Sequence, residues 1–327
     1  MLKITFLSQR TADCFFVSSG VFPDAVHILI DGGLSKDKKL LIGHVQSHIE
    51  AGNRIDLVVL THVDGDHIGG FLELFKKDFI TSSVIGEVWF NIKQDSDAAT
   101  NSVSNLDVSF SQGSRLAETL RGKYIPIRAA CADRDPPDFR RKDCTVEVIA
   151  PSCAALESLQ QDWALQSKLD VAADKADHDL SWEQLREEKF SEDGSVKNRS
   201  SIAVIVRSLS AKKSVLFCGD SVPSELLASV DSSPEQFDLV KLPHHGSRAN
   251  TNSKLLEKFP TKRYVISAGS NNHKPHKKTL QLLLDSLTHP FIIYVPKGNW
   301  IAKKMTGHLS GSGCKIVEYQ VGLSLEL

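Results

Sequence analysis

Within seven residues, Thr61-His62-Val63-Asp64-Gly65-Asp66-His67 brings together two imidazoles and two carboxylates. These are ligands that zinc, manganese and iron take from proteins, and no cysteine stands among them, which excludes a structural thiolate site. The segment directly follows Leu57-Val58-Val59-Leu60, a continuous apolar run of the kind that a sheet buries on both faces. A strand end is rigid, and the turn after it aims its side chains into a common space. Gly65 lets the backbone bend, and Gly69 and Gly70 keep bulk away where a helix begins. The plain alternative is a polar surface loop. Polar loops are common, but two His and two Asp at this spacing are not.

Such a centre needs elements to hold it. Residues 2–7, 14–17, 26–30, 56–60 and 84–90 read as strands, and 38–50 and 68–77 as helices. From about 94 to 197 the chain turns polar, rich in Ser, Asp, Lys and Arg. One clear strand at 145–150 interrupts it, 156–168 and 181–189 have helical spacing, and 174–179 and 191–198 read as exposed loops. This stretch is expected to be a helical and loop insertion on one domain spanning 1–327. Strands return at 201–206 and 214–218, a hairpin, and at 239–242, 264–266 and 291–295, with helices at 223–229, 253–258 and 278–287 between them. Two sheets covered by helices on their outer faces fit this order.

The segment His62-x-Asp64-x-Asp66-His67 resembles motif two of the metallo-β-lactamase superfamily, His-x-His-x-Asp-His, with Asp64 where most members carry the second histidine. Followed by Ile68-Gly69-Gly70, this variant is similar to the ComEC-like branch, which includes the nuclease domain of competence proteins and the phosphorylcholine esterases. Further motifs agree in order. Thr11-Ala12-Asp13-Cys14 resembles a Gly-Asp-(Ala/Cys) strand entry, with Ala12 for the Gly, and Ile30-Asp31-Gly32-Gly33 resembles motif one. Asn198-Arg199-Ser200-Ser201, Leu216-Phe217-Cys218-Gly219-Asp220, Pro243-His244-His245-Gly246-Ser247 and Ile266-Ser267-Ala268-Gly269 through His273-Lys274-Pro275-His276 resemble the branch's later motifs. The resemblance covers roughly residues 1–92 and 198–300.

It implies an α/β fold, the αββα four-layer sandwich of two mixed β-sheets flanked by helices, and two divalent metal ions, zinc or manganese. His62 and Asp64 would bind one ion, Asp66 and His67 the other, and Asp220 would bridge them. His245 is expected to complete the first shell and His276 the second, with His244 competing for either place. Asp66, Asp220 and His245 would carry the catalytic roles. Asp31, His244, Ser247 and Arg248 would stand behind the ligands or against substrate. An ordinary turn Asp is the alternative for Asp31, and a helix N-cap ahead of Ser221-Val222-Pro223 for Asp220. The three Asp lean toward manganese. His44 and His48 lie at i, i+4 with no carboxylate of the motif beside them, so a solvated helix face is expected; His27, His178, His289 and His308 are isolated, and His273 lies closer to the site.

With 41% hydrophobic residues the chain can bury a sizeable core, and a formal net charge of -1 gives no global basic field. No apolar run approaches the ~20 residues needed to cross a bilayer, so membrane insertion is not expected. Six scattered cysteines without a Cys-x-x-Cys pair are read as reduced thiols in a cytoplasmic protein. Two cations suit a phosphodiester, which makes a nucleic acid or nucleotide the expected substrate. Lys241, Ser247, Arg248, Lys274, Lys277 and Lys278 flank the later motifs and are candidates to hold phosphate. Trp89, Phe90, Phe110 and Trp300 are candidates to stack on bases, with core packing the alternative. Hydrolysis of a carboxylic ester, thioester or lactone on the same ions is the alternative chemistry, and a non-catalytic partner-binding module the alternative class. The 94–197 insertion could bind a protein partner.

Overall fold

The computed structural model describes residues 1–92, 108–165, 176–231, 233–270, 273–305, 309 and 311–327. The far end of the helix expected at 156–168, the start of the loop at 174–179, and His308 lie outside the described residues.

Among the described residues, fifteen strands form two sheets: β1 (Leu2–Phe6), β2 (Phe15–Ser19), β3 (Val26–Ile30), β4 (Ile55–Leu60), β5 (Ile85–Phe90), β6 (Ile127–Arg128), β7 (Phe139–Arg141), β8 (Cys144–Ala150), β9 (Ala203–Ser208), β10 (Lys213–Phe217), β11 (Leu239–Lys241), β12 (Arg263–Val265), β13 (Phe291–Pro296), β14 (Cys314–Tyr319) and β15 (Ser324–Glu326). The first sheet runs β15-β1-β2-β3-β4-β5-β6 and the second β14-β13-β12-β11-β10-β9-β8-β7. Each is mixed. In the first, β15, β1, β2 and β3 pair antiparallel and β3 to β6 parallel. In the second, β7 to β10 pair antiparallel and β10 to β14 parallel.

Burial on both faces explains the continuous apolar strands. In β4, Leu57 and Val59 point between the sheets while Val58 and Leu60 point to the helices outside. In β10, Val215 and Phe217 point inward and Leu216 outward. Three apolar layers result, one between the sheets and one outside each. The first outer layer is covered by α1 (Lys38–Glu50), α2 (Gly65–Ile68), α3 (Phe71–Leu74), α4 (Val108–Gly122) and α5 (Cys153–Leu165), whose Leu41, Val45, Phe71, Phe110 and Trp163 pack there. Two further short helices, α6 (Trp182–Glu187) and α7 (Val196–Arg199), precede β9. The helices Pro223–Ala228, Ser253–Lys258, Lys277–Ser286 and Trp300–Lys304 cover the second sheet. This is the αββα sandwich of the metallo-β-lactamase fold.

Several expectations change. The helix expected at 68–77 is two short helices, α2 and α3, because Gly69 and Gly70 press against the loop after β3; a Cβ on Gly70 would come within 2.0 Å of the Gly32 carbonyl oxygen. The 94–197 stretch adds β6 to one sheet and β7 and β8 to the other. The loop expected at 191–198 contains α7, with Lys197 and Asn198 buried. Cys131 and Cys153 are not free thiols but form a disulfide, since the turn after β6 meets the start of α5 with Cα atoms 5.2 Å apart. Trp89, Phe90, Phe110 and Trp300 are all buried in the core, which leaves no face for a base. No helix among the described residues is long and apolar enough to cross a membrane.

Candidate metal centre

The candidate residues sit on one edge of the sandwich, beyond strand ends. Asp31 follows β3, His62 follows β4, Asp220 follows β10, His244 and His245 follow β11, and Asp13 precedes β2, whose start lies beside the end of β3. The carboxyl ends of parallel strands are where open α/β sheets gather ligands. The backbone there is forced. Asp31, His244 and His245 all have positive φ, 55°, 47° and 54°, a conformation costing a non-glycine residue on the order of 1–3 kcal/mol. Two successive left-handed residues turn the neighbouring imidazoles of His244 and His245 apart, 5.9 Å between centroids. Gly219, φ 54°, has no room for a side chain, because a Cβ would stand 2.5 Å from Ser201 Oγ; its tight turn delivers Asp220.

Asp220 is the hub. Its Oδ2 lies 3.7 Å from His62 Nε2, 3.6 Å from His244 Nε2 and 3.7 Å from His245 Nε2, and its Oδ1 lies 3.4 Å from His67 Nε2. His245 Nε2 is also 2.9 Å from Asp66 Oδ2, and His62 Nε2 is 3.9 Å from Asp64 Oδ2. Asp220 does not cap the helix that follows, whose N-cap is Val222 with no side-chain hydrogen bond.

The outward nitrogens of all four imidazoles meet acceptors. His67 Nδ1 donates to Asp31 Oδ2 at 2.7 Å. Thr61 gives its hydroxyl proton to the same carboxylate at 2.8 Å, so its oxygen accepts from His62 Nδ1 at 3.1 Å. Ser267 donates to Asp13 and accepts from His245 Nδ1 at 3.1 Å. Asn250, whose amide N–H donates to the Asp220 carbonyl at 3.1 Å, turns its oxygen to His244 Nδ1 at 3.0 Å. Each ring therefore has an outer oxygen to hold a proton on Nδ1 and turns its Nε2 to the hub. That second bond is what fixes a metal-binding histidine.

Several inward atoms lack ordinary partners. His62 Nε2, His67 Nε2 and Asp220 Oδ1 are buried and make no hydrogen bond among the described residues. Buried polar atoms are otherwise nearly always paired. Spacings near 3.5 Å suit atoms that share one ion at about 2.0–2.2 Å each. The field agrees. Burial would lower the pKa of His67, yet Asp220, Asp31 and Asp66 hold it well above the ordinary histidine value; His245 is raised against burial by Asp220, Asp13 and Asp66. The centre attracts positive charge, and its donor set fits divalent cations.

The structure brings together His62, Asp64, Asp66, His67, Asp220, His244 and His245, and places Asp31 behind His67. His245 stands with Asp66 and His67 rather than with His62 and Asp64, and His244 faces Asp220 from the side of His62. His276 is tied to the turn that carries His245. It is fully buried at the start of Lys277–Ser286, its Nδ1 accepting from the Arg248 N–H at 3.1 Å, and its own N–H donates to the Gly246 carbonyl. The flanking cations are engaged within the fold. Lys241 is completely buried, bonded to Asp13 and to the Gly219 carbonyl. Arg248 grips Glu188 at 3.0 and 3.1 Å, and Lys277 and Lys278 donate to the carbonyls of Leu180 and Leu185. Ser247 is buried and accepts from the Ala249 N–H.

Sequence reasoning gave no place to Asp13, Thr61, Ser109, Asp193, Lys197, Asn250 or Ser267. Asp13 is pulled below the usual carboxylate range, against burial, by Lys241, His245 and His67; Asp193, held by His244 and Asn198, comes down to about 2. Asp13, Thr61 and Ser267 stand within the quoted motifs and were the visible pointers to this layer.

Asp64 and Asp66 keep 32% and 29% of their side chains exposed against 3% for Asp220, so the centre opens on their side. There an open cleft of about 920 Å³ runs from Gly65 and Asp66 between α2–α3 and α4, with Lys36, Lys76, Gln112, Arg115 and Thr119 on its walls.

Residues 12–122 match the metallo-beta-lactamase superfamily model. The chain is 24% identical over 233 residues to ComE operon protein 3 of Bacillus subtilis (strain 168), an alignment covering 70% of this chain but only 22% of that protein. Among solved structures it is similar to unliganded yeast PDE1, at 14% identity, covering 100% of this chain and 99% of that one with a TM-score of 0.48. It is also similar to the short form of human tRNase Z, at 10% identity, covering 99% and 98% with a TM-score of 0.41.

Proposed function

We propose that this chain is a metal-dependent hydrolase, a phosphodiesterase acting on a nucleic acid or a nucleotide with two divalent cations. The observation that carries the reading is the shared orientation of four imidazoles, each donating from Nδ1 to an outer oxygen and turning Nε2 toward Asp220. In this reading His62, Asp64 and His244 would hold one cation, Asp66, His67 and His245 the other, and Asp220 would serve both. When bound, the cations supply Lewis acidity, making a proton-poor nucleophile available near neutral pH and offsetting charge on the reacting phosphate. The protein does the rest. Asp31 and the Ser267–Asp13 pair keep protons on the outer nitrogens of His67 and His245, and the Thr61 oxygen does so for His62. Lys241 balances the charge of Asp220, 3.7 Å away. Asp66 reaches the cleft and meets an incoming water first. His276 supports the His245–Gly246 turn from behind.

A phosphodiester is favoured over a carboxylic ester because two cations suit a phosphate flanked by attacking and leaving oxygens; the cleft adds Lys36 and Arg115, while its Lys76 is paired with Glu73 at 3.0 Å. Because α4 forms one wall, we assign the 94–197 stretch to substrate before any protein partner. The test is hydrolysis of bis(p-nitrophenyl) phosphate by metal-stripped protein with manganese or zinc restored, beside Asp220→Ala. Metal-dependent turnover lost in the variant is expected. No turnover with any metal, despite bound ions, would exclude this reading in favour of esters and lactones.

A further inference from the structure

Asp64 stands where the related motif carries a histidine. A neutral imidazole can ligate a cation without adding charge, whereas a carboxylate adds one negative charge to a centre that already gathers Asp13, Asp31, Asp66 and Asp220. A charge added among like charges calls for an opposite one beside it. The structure supplies one: Lys197 Nζ lies 2.7 Å from Asp64 Oδ1, and Lys197 is buried with 8% exposure. Ser109 on α4 donates to the same oxygen at 3.2 Å. Both donors take Oδ1, and Oδ2 is the oxygen nearest His62 Nε2.

Lys197 is itself held from the far side of the centre. Its helix, α7, begins at Ser195, whose hydroxyl accepts from the Asn198 N–H. Asp193 accepts from the Ser195 N–H at 2.9 Å and from the Asn198 side chain at 2.6 Å, and its Oδ2 lies 3.4 Å from His244 Nδ1. The element that carries the ammonium to Asp64 is thus tied to His244, which faces the hub from the side of His62.

We infer that Lys197 is a positioning residue for Asp64, and that carboxylate and ammonium together replace one neutral imidazole at the first cation. The inference rests on the two-cation reading. It demands a particular non-additivity. Asp64→His alone removes the carboxylate that faces the Lys197 ammonium at 2.7 Å, and removing that ammonium as well relieves its repulsion of the cation.

The experiment is equilibrium dialysis of Mn(II) against the purified 327-residue chain, with melting curves to show that each variant is folded. The wild type and Lys197→Arg, which keeps the charge, are expected to bind two equivalents. Asp64→His should bind one of them about tenfold or more weakly, the scale of changes around metal ligands. Asp64→His/Lys197→Met should regain most of that affinity. Asp64→His/Lys197→Gln, made in parallel, keeps a stem of similar length should the Met variant fold poorly. Double variants that bind no better than Asp64→His, beside a wild type that binds two equivalents, would overturn the pairing while leaving the two-cation reading intact. A wild type that binds fewer than two would sink that reading and the pairing with it.

Discussion

A histidine can present one nitrogen to a cation only while something holds the other. Asp31 does this for His67 while also accepting from the Thr61 N–H and hydroxyl. Asp31→Asn isolates that role, because Asn tolerates the positive φ but cannot accept at every position the carboxylate fills. We expect ion affinity to fall about 10–100-fold, read by Mn(II) titration, with the fold retained. Behind His245, buried Lys241 compensates buried Asp13. Lys241→Met should cost about 3–5 kcal/mol in urea unfolding, because it strands a carboxylate, and adding Asp13→Asn should recover part of the loss. The inner ring was legible because His62, Asp64, Asp66 and His67 are neighbours in sequence. The layer behind it was not. Asp13 and Lys241 enter from different sheets, and a lysine beside two histidines reads as a phosphate contact until its burial is known.

At the scale of elements, long apolar runs such as β4 and β10 announced themselves, whereas β6, β7 and β15 are two or three residues long and only partly buried. The helix α4 was missed because its polar face dominates its composition. Its Phe110, Leu116, Ala117 and Leu120 nevertheless join the first outer layer. Gly113 is where α4 meets the centre. A Cβ there would stand 2.6 Å from Trp163 and 3.0 Å from Val63, the residue between His62 and Asp64. Gly113→Val should lower stability by about 1–3 kcal/mol through overpacking and reduce turnover of bis(p-nitrophenyl) phosphate with it. A second seam joins β3 to α1. His44 and His48 are not on a solvated face but pack edge-on against Phe16, each 4.8 Å away, with His27 beside them. Burial, then the nearness of His48, pushes His27 down to about 4. The folded chain then binds fewer protons than the unfolded one between about pH 4 and pH 6.5. The stabilisation is complete above that window and lost as pH falls through it. His27→Phe should flatten the decline of the urea midpoint between pH 7.5 and pH 5; an unchanged decline would place the acid sensitivity elsewhere.

Across the whole molecule, the division of labour between the sheets matters most. The first supplies Asp31, His62, Asp64, Asp66 and His67, and the second supplies Asp220, His244 and His245. Fold class was readable from the order of strands and helices. The closing of the two edges upon each other was not, since it depends on how Leu57 and Val59 seat against residues such as Val204 and Phe217 in the layer between the sheets. On the two-cation reading, ions held between both edges would work as a caliper: they would grip well only at one separation, so their affinity would gauge packing deep inside the sandwich. Leu57→Ala touches no candidate ligand, yet it should cost about 2–5 kcal/mol of stability and also loosen Mn(II) binding. By the same linkage, saturating Mn(II) should return part of that stability, about 2.7 kcal/mol at a concentration one hundred times the Kd. A core variant in this protein would then be diagnosed by its appetite for metal before any unfolding is seen.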